Sequence, residues 1–112
     1  MVVTSYLRDG VWDGERVLPQ GWVDYTRPPS AAAPAGEYGA HVWLNAGAPA
    51  RGVLPRMPRV PSDAILARGF DGQAVVVVPS RDLVVVRLGL TRDDGAWSLE
   101  GFLADVLTGV PR

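Results

Sequence analysis

Gln73-Ala74-Val75-Val76-Val77-Val78-Pro79-Ser80-Arg81-Asp82-Leu83-Val84-Val85-Val86-Arg87-Leu88 sets two valine-rich segments on either side of a turn-forming tetrapeptide. β-Branched side chains suit a pleated surface, and Pro-Ser-Arg-Asp has the residues of a tight turn, so a β-hairpin is expected over 73–90. A third apolar segment, Asp63–Phe70, precedes it and reads as a further strand. Four successive valines, Val75 to Val78, must point to both faces, which requires a cover on each side of the sheet. One cover is legible downstream. Leu99, Phe102, Leu103, Val106 and Leu107 recur at i, i+3, i+4, i+7 and i+8, an amphipathic helix over 97–108 ended by Gly109 and Pro111. No second cover is evident, so the other face is expected to be met by material outside these 112 residues.

Upstream, Tyr38–Leu44 reads as another strand. Between it and Asp63, the stretch Asn45–Pro61 holds four prolines and is expected to be a long surface excursion bordering a site or marking an insertion. Pro28–Gly36 is a Pro, Ser, Ala and Gly loop. Pro19 to Tyr25 fits a short helix with Pro19 in its first turn and Pro28-Pro29 beyond its end. Val11-Trp12-Asp13-Gly14 reads as a turn, and Met1–Gly10 as the end of a helix stopped by Asp9-Gly10. The expected architecture is α+β: an antiparallel sheet of three to four strands with a C-terminal helix on one face. All of it falls in one domain over 1–112, with a helical segment over 1–27, strands over 38–90 and the helix over 97–108.

Composition narrows the function. The chain is 47% hydrophobic and 21% charged, with 11 basic against 12 acidic residues and no cluster of cations, so binding nucleic acid through phosphate neutralisation is not expected. Every basic residue is Arg. Without cysteine there is no disulfide, thiolate nucleophile or Cys-based zinc site. No apolar run approaches the roughly 20 residues of a membrane span. Met1–Gly10 already contains Arg8 and Asp9, so no export signal is expected at the start of this chain.

Candidate chemistry is sparse. His41 is the sole histidine and reads as structural or partly exposed. The serines at 5, 30, 62, 80 and 98 lie in no G-x-S-x-G elbow and none has a lysine three residues on. Asp93-Asp94 reads as a helix N-terminal cap rather than as paired catalytic carboxylates. Trp12, Trp22, Trp43 and Trp97 are scattered and read as core residues. The run Gly69-Phe70-Asp71-Gly72-Gln73 enters the valine-rich strand. It reads either as a β-bulge or tight corner, or as a strand edge that offers an N–H to a substrate oxygen.

Ala67-Arg68-Gly69-Phe70-Asp71-Gly72-Gln73, continued through Val75–Val78 and Pro79-Ser80-Arg81-Asp82 to Leu83–Gly89, resembles the C-terminal part of the serine β-lactamase-like hydrolases. That superfamily takes in class C β-lactamases, DD-peptidases, related esterases and 6-aminohexanoate-oligomer hydrolases. Leu7–Gly14 with Val17-Leu18-Pro19-Gln20-Gly21-Trp22-Val23 is similar to the helical segment and W-x-G-x-x-(I/V)-L-P-x-x-W pattern that precede it. Tyr38-Gly39-Ala40-His41-Val42-Trp43-Leu44 resembles the family's following strand. The resemblance spans nearly the whole chain and implies a partial β-lactamase/transpeptidase-like fold.

The resemblance also implies a reaction and a set of residues. The family's nucleophile and base form Ser-x-x-Lys, its Tyr lies in a Tyr-x-Asn-like motif, and a Lys-Thr-Gly-type triplet lies on a strand edge. A chain without lysine contains no Ser-x-x-Lys, and Tyr6-Leu7-Arg8, Tyr25-Thr26-Arg27 and Tyr38-Gly39-Ala40 lack the Asn. The third motif maps to Ala67-Arg68-Gly69, or in a second register to Phe70-Asp71-Gly72. The first register makes the Phe70 main-chain N–H, beside Gly69, the strand-side oxyanion donor, with Arg68, Asp71 and Gly72 at the substrate. Phe70 stands where many relatives have His. No metal or cofactor is implied. The expected partners are a small-molecule or peptide-like acyl substrate in an intact parent, with a missing N-terminal part or a second copy of the chain against the exposed sheet face.

Overall fold

A computed structural model of the protein describes residues 2–92, 95 and 97–111. It is α+β, as the hydrophobic pattern predicts. Four antiparallel strands form the main sheet in the order of the chain: β3 (Trp43–Leu44), β4 (Ile65–Arg68), β5 (Ala74–Val78) and β6 (Leu83–Arg87). The hairpin closes where Pro79 and Asp82 suggest, with Val78 opposite Leu83 and the Asp82 N–H donating to the Pro79 carbonyl. Asp63 ties this turn to the start of β4, accepting from the Ser80 N–H at 2.7 Å and its hydroxyl at 2.8 Å.

Period-two alternation sorts the valines. Ala74, Val76 and Val78 join Leu66 on one face, against Leu103 and Leu107 of α3 (Leu99–Gly109). The helix begins as its sequence allows, with the Ser98 hydroxyl accepting from the Gly101 N–H at 3.0 Å. The capping expected of Asp93-Asp94 lies outside the described residues, and Ser98 fills the position. At the other end Arg81 donates from Nη2 to the Leu107 and Val110 carbonyls, both at 2.9 Å. These carbonyls have no intrahelical donor, so a cation there satisfies them and favours the helix dipole. Arg81→Ala is expected to cost about 1–2 kcal/mol, read as a lower thermal midpoint with faster amide exchange in the last turn of α3.

The second face corrects the expectation that its cover lies wholly outside the chain. Ile65, Val77 and Val84 pack with Val3, Tyr6 and Leu7 of α1 (Val2–Leu7). A short helix that is marginal by itself is held by this contact and by the Arg8–Asp82 ion pair at 2.5 Å. The Asp82 carboxylate raises the Arg8 guanidinium above its ordinary pKa, first through the hydrogen bond and then through charge. The cover is partial. On the same face Ala67 and Val86 are exposed and Val75 is half-buried.

Three other expectations change at their boundaries. Asp13-Gly14, both at positive φ, form the two-residue turn of a small hairpin, β1 (Val11–Trp12) with β2 (Glu15–Arg16), inside the segment read as helical. The helix expected over Pro19–Tyr25 is α2 (Trp22–Thr26), and Pro19 instead accepts from the Trp22 N–H in the preceding turn. Tyr38–Leu44 is not one strand: Tyr38 bridges Trp43 across a tight turn in which the Gly39 N–H donates to the Val42 carbonyl. The reason is local. A Cβ at Gly39 would stand 2.2 Å from the Thr26 carbonyl oxygen, so only glycine lets the chain press against the end of α2 before reversing.

The expected surface excursion Asn45–Pro61 is organised from within. Asn45 is 1% exposed. Its Nδ2 donates to the carbonyls of Met57 and Val60 at 3.0 Å and Pro61 at 3.2 Å, while its Oδ1 accepts from the Met57 N–H at 2.9 Å. The loop wraps one buried amide. It also delivers Val60 and Met57 to the α3 side of the core.

Among the described residues, no helix is long and apolar enough to cross a membrane.

Candidate functional site

The residues singled out between Arg68 and Gln73 form the corner that joins β4 to β5. Gly69 is extended, and its N–H donates to the Gln73 carbonyl at 2.8 Å. Phe70-Asp71-Gly72 then turns the chain, with Asp71 at φ 59° and Gly72 at φ 79°. The tight corner is therefore present. Gly72 suits the corner through its positive φ, and a Cβ there would sit tightly, 3.2 Å from Arg87 Nη1 and 3.3 Å from the Thr91 carbonyl oxygen. The Gln73 amide donates to the Phe70 carbonyl at 3.2 Å and the Thr91 N–H to the Asp71 carbonyl at 2.9 Å, which fixes both sides of the turn.

The corner leaves an edge free. Alternate residues of an antiparallel ladder direct their N–H groups to opposite sides. Because the Gly69 N–H points to β5, that of Arg68, the last residue of the ladder, points away from it. On that side β3 pairs only with Ile65 and Leu66, so among the described residues β4 has no strand neighbour beside Arg68. Of the two registers, 67–69 thus sits at the end of a strand with an open edge, while 70–72 is the turn itself. The Phe70 side chain is 85% exposed.

A cavity of about 470 Å³ lies beside this edge. Arg68, Gly69, Phe70, Asp71 and Gly72 line it together with Thr91, Arg92, Gly95, Trp97 and Leu99. The five residues that the resemblance brings to the substrate thus border one space. Sequence reasoning missed its other wall. Arg87 lies 4.3 Å from the centre of the Trp97 ring and donates to the Gly72 carbonyl at 3.1 Å and to the Thr91 hydroxyl. Trp97 also packs on Phe102, their ring centres 5.9 Å apart. An arginine at the end of an apolar strand, followed by an exposed loop and a tryptophan, was the signal: it stitches the segment after β6 back onto the corner.

The tryptophans read as core residues divide. Trp43 is half-buried and packs edge-on against Tyr38, ring centres 5.0 Å apart, but Trp12 and Trp22 are exposed. β1–β2 and α2 cover too little surface to bury them. His41 is exposed at φ 63° and lines a groove with Val42, Ala67 and Val75, not the cavity at the corner.

The chemistry available is binding and polarisation. An outward N–H at a strand edge can donate to a carbonyl oxygen as it gains charge. Among the described lining residues the one side-chain hydroxyl is that of Thr91, and it accepts from Arg87. Of the serines, Ser80 and Ser98 are committed to Asp63 and the start of α3, and Ser30 accepts from the Ala32 N–H. No protein-family model matches the chain, and no curated protein matches it significantly.

Proposed function

We propose that this chain is the C-terminal part of a serine hydrolase of the β-lactamase-like family. In the intact parent a serine oxygen attacks an ester, amide or β-lactam carbonyl, the alcohol or amine departs with a proton, and water then releases the acyl group from the serine. The observation that carries this reading is the end of β4 at Arg68, unpaired by β3, beside a cavity lined by Arg68, Gly69, Phe70, Asp71 and Gly72. In this role the main-chain N–H of Phe70 stabilises the oxyanion and Gly69 sets the approach, so the phenyl ring in place of an imidazole leaves the donor intact.

A donor without a nucleophile gives no covalent path. The 112-residue chain alone is expected to hydrolyse neither nitrocefin nor p-nitrophenyl esters. The same assay on the product of the upstream in-frame sequence joined to this chain, with Ser-x-x-Lys and a Tyr-x-Asn-like motif present, is expected to show turnover. Turnover by the short chain in a preparation free of host esterase, or an upstream sequence without those motifs, sinks the reading.

A second reading is favoured by the half-covered sheet face: a non-catalytic module that dimerises or docks on a partner. Val86, Leu88 and Leu90 are 51%, 73% and 77% exposed, and a groove of about 360 Å³ runs between Val3 and Tyr6 of α1 and Val75 and Val77 of β5. β6 is also an edge strand with no proline in it. Sedimentation of the short chain separates the two: a discrete dimer supports this module, and a soluble monomer removes its dimeric form.

A further inference from the structure

Glu37 carries a carboxylate that the fold leaves unmatched. The residue is half-buried, and its Oε2 is enclosed with no hydrogen-bond partner. Among the described residues the ion pairs join Arg8, Arg16, Arg27 and Arg59 to other carboxylates, and none reaches Glu37. A carboxylate oxygen withdrawn from water is costly unless a donor or a cation faces it, so such a group in a folded chain calls for a partner.

The surroundings of Glu37 suit a cation with apolar substituents. Glu37, Tyr38 and Trp43 line one pocket of about 320 Å³ with Ser30, Ala32 and Ala33, and Glu37 is the charged residue of that lining. The segment that builds these walls, 28–45, is described throughout. The Tyr38 and Trp43 rings stand 77° apart in plane with their centres 5.0 Å apart, which makes them two walls of a corner. Aromatic faces attract cations, and rings set at an angle around an ammonium group are a common way of binding one. Arg56 lies 5.8 Å from the centre of the Trp43 ring but lines the neighbouring cavity rather than this one.

The pocket is held in shape by the main chain. The Ser30 N–H donates to the Tyr38 carbonyl at 2.8 Å, the Leu44 N–H donates to the Glu37 carbonyl at 2.9 Å, and Tyr38 bridges Trp43. A site fixed in this way loses little freedom when a ligand arrives. A metal ion fits it poorly. Among the described residues no three His, Asp or Glu side chains gather to hold one, and a single carboxylate beside two rings lacks the oxygen ligands that a hard cation takes.

We propose that this pocket binds an organic ammonium ion with apolar substituents, its charge facing Glu37 and its carbons against Tyr38 and Trp43. The pocket shares no lining residue with the cavity at the β4–β5 corner, and the proposal rests on no part of the hydrolase reading.

The test is a titration of the 112-residue chain, followed by ¹H–¹⁵N NMR, with choline, its uncharged isostere 3,3-dimethylbutan-1-ol, and sodium chloride at matched ionic strength. Choline is expected to saturate in the millimolar range, with shifts centred on residues 30–44 and on the Trp43 indole N–H. The alcohol keeps the shape and loses the charge, so it is expected to bind about tenfold more weakly. Glu37→Gln removes the charge on the protein side and is expected to weaken choline about fivefold. Glutamine has nearly the shape of glutamate, so this variant should keep the dispersed spectrum of the parent chain, which the same experiment verifies. The comparison of choline with the alcohol needs no variant. Equal affinity for the alcohol, the same shifts with sodium chloride, no saturable shift at tens of millimolar choline, shifts that leave residues 30–44 unmoved, or unchanged affinity in Glu37→Gln overturns the proposal.

Discussion

Leu103→Ala is expected to remove about 3–4 kcal/mol of stability, measured as a shift in the urea midpoint at constant slope. Leu103 is fully buried and stands with Leu107 against Leu66, Val76 and Val78, so it is the centre of the contact between α3 and the sheet. Truncation forfeits the transfer energy of the lost carbons and leaves a cavity whose walls are strands tied on both sides and cannot collapse into it. Domains of this size carry only about 5–15 kcal/mol in total. The variant should therefore melt well below the parent chain. Leu103→Met, which conserves volume, should cost less than about 1.5 kcal/mol. Similar losses for alanine and methionine would mean that α3 is not packed as described.

Asn45 should be as sensitive for a polar reason. At a site 1% exposed, its two N–H groups are shared among three carbonyls of the loop it organises and its oxygen accepts from a fourth partner, the Met57 N–H. Asn45→Ala removes these bonds and strands the Met57 N–H, an expected loss of about 3 kcal/mol. Asn45→Asp adds a dependence on pH. The introduced carboxyl faces three carbonyl oxygens, so its charged form is disfavoured in the fold and its folded pKa lies above the unfolded value of about 3.9. For an acid shifted upward, relative stability is fully present below the unfolded pKa and is lost as pH rises. The loss should be about 1.4 kcal/mol per pH unit from about pH 4 until the folded pKa is passed. Urea midpoints of both variants between pH 3.5 and pH 7 check this, and a pH-independent difference between them would show that Asn45 does not face those carbonyls.

The two sites differ in how far they could be read in advance. Leu103 announces itself, because apolar residues at helical spacing leave one face to bury, and the valines opposite it alternate with the period of a strand. Asn45 does not. It sits at the start of a proline-rich stretch, where an asparagine looks like any turn residue, and its acceptors lie 12 to 16 residues away along the chain. Asn45 itself lies just beyond β3, its N–H donating to the Ala64 carbonyl. The long loop looked open because its fastening is a single side chain rather than an apolar pattern.

The same contrast runs through the candidate site. Gly69-Phe70-Asp71-Gly72 is legible as a corner because glycine and aspartate tolerate left-handed backbone. That Trp97 and Thr91 return to it depends on Arg87, whose stacking on the indole and hydrogen bond to Gly72 join residues far apart in any local window. Trp12 and Trp22 show the opposite error. Large aromatics favour burial in general, yet a two-residue hairpin and a five-residue helix offer them little to pack against.

By itself the sequence determined the α+β class, the β5–β6 hairpin with its turn, the strand before it and the C-terminal helix with its buried face. It also excluded, through the absence of lysine and cysteine, a Ser-x-x-Lys or thiolate centre within these residues. Those features rest on local periodicity and on residue chemistry, which a single chain displays directly. Only the tertiary structure decided that α1 covers part of the second face, that Asn45 organises the long loop, and that Arg68 and Trp97 border one cavity at the β4–β5 corner. Each of these is a relation between residues distant in sequence, fixed by where the sheet twists and where the loops return, and neither quantity is written in any one segment.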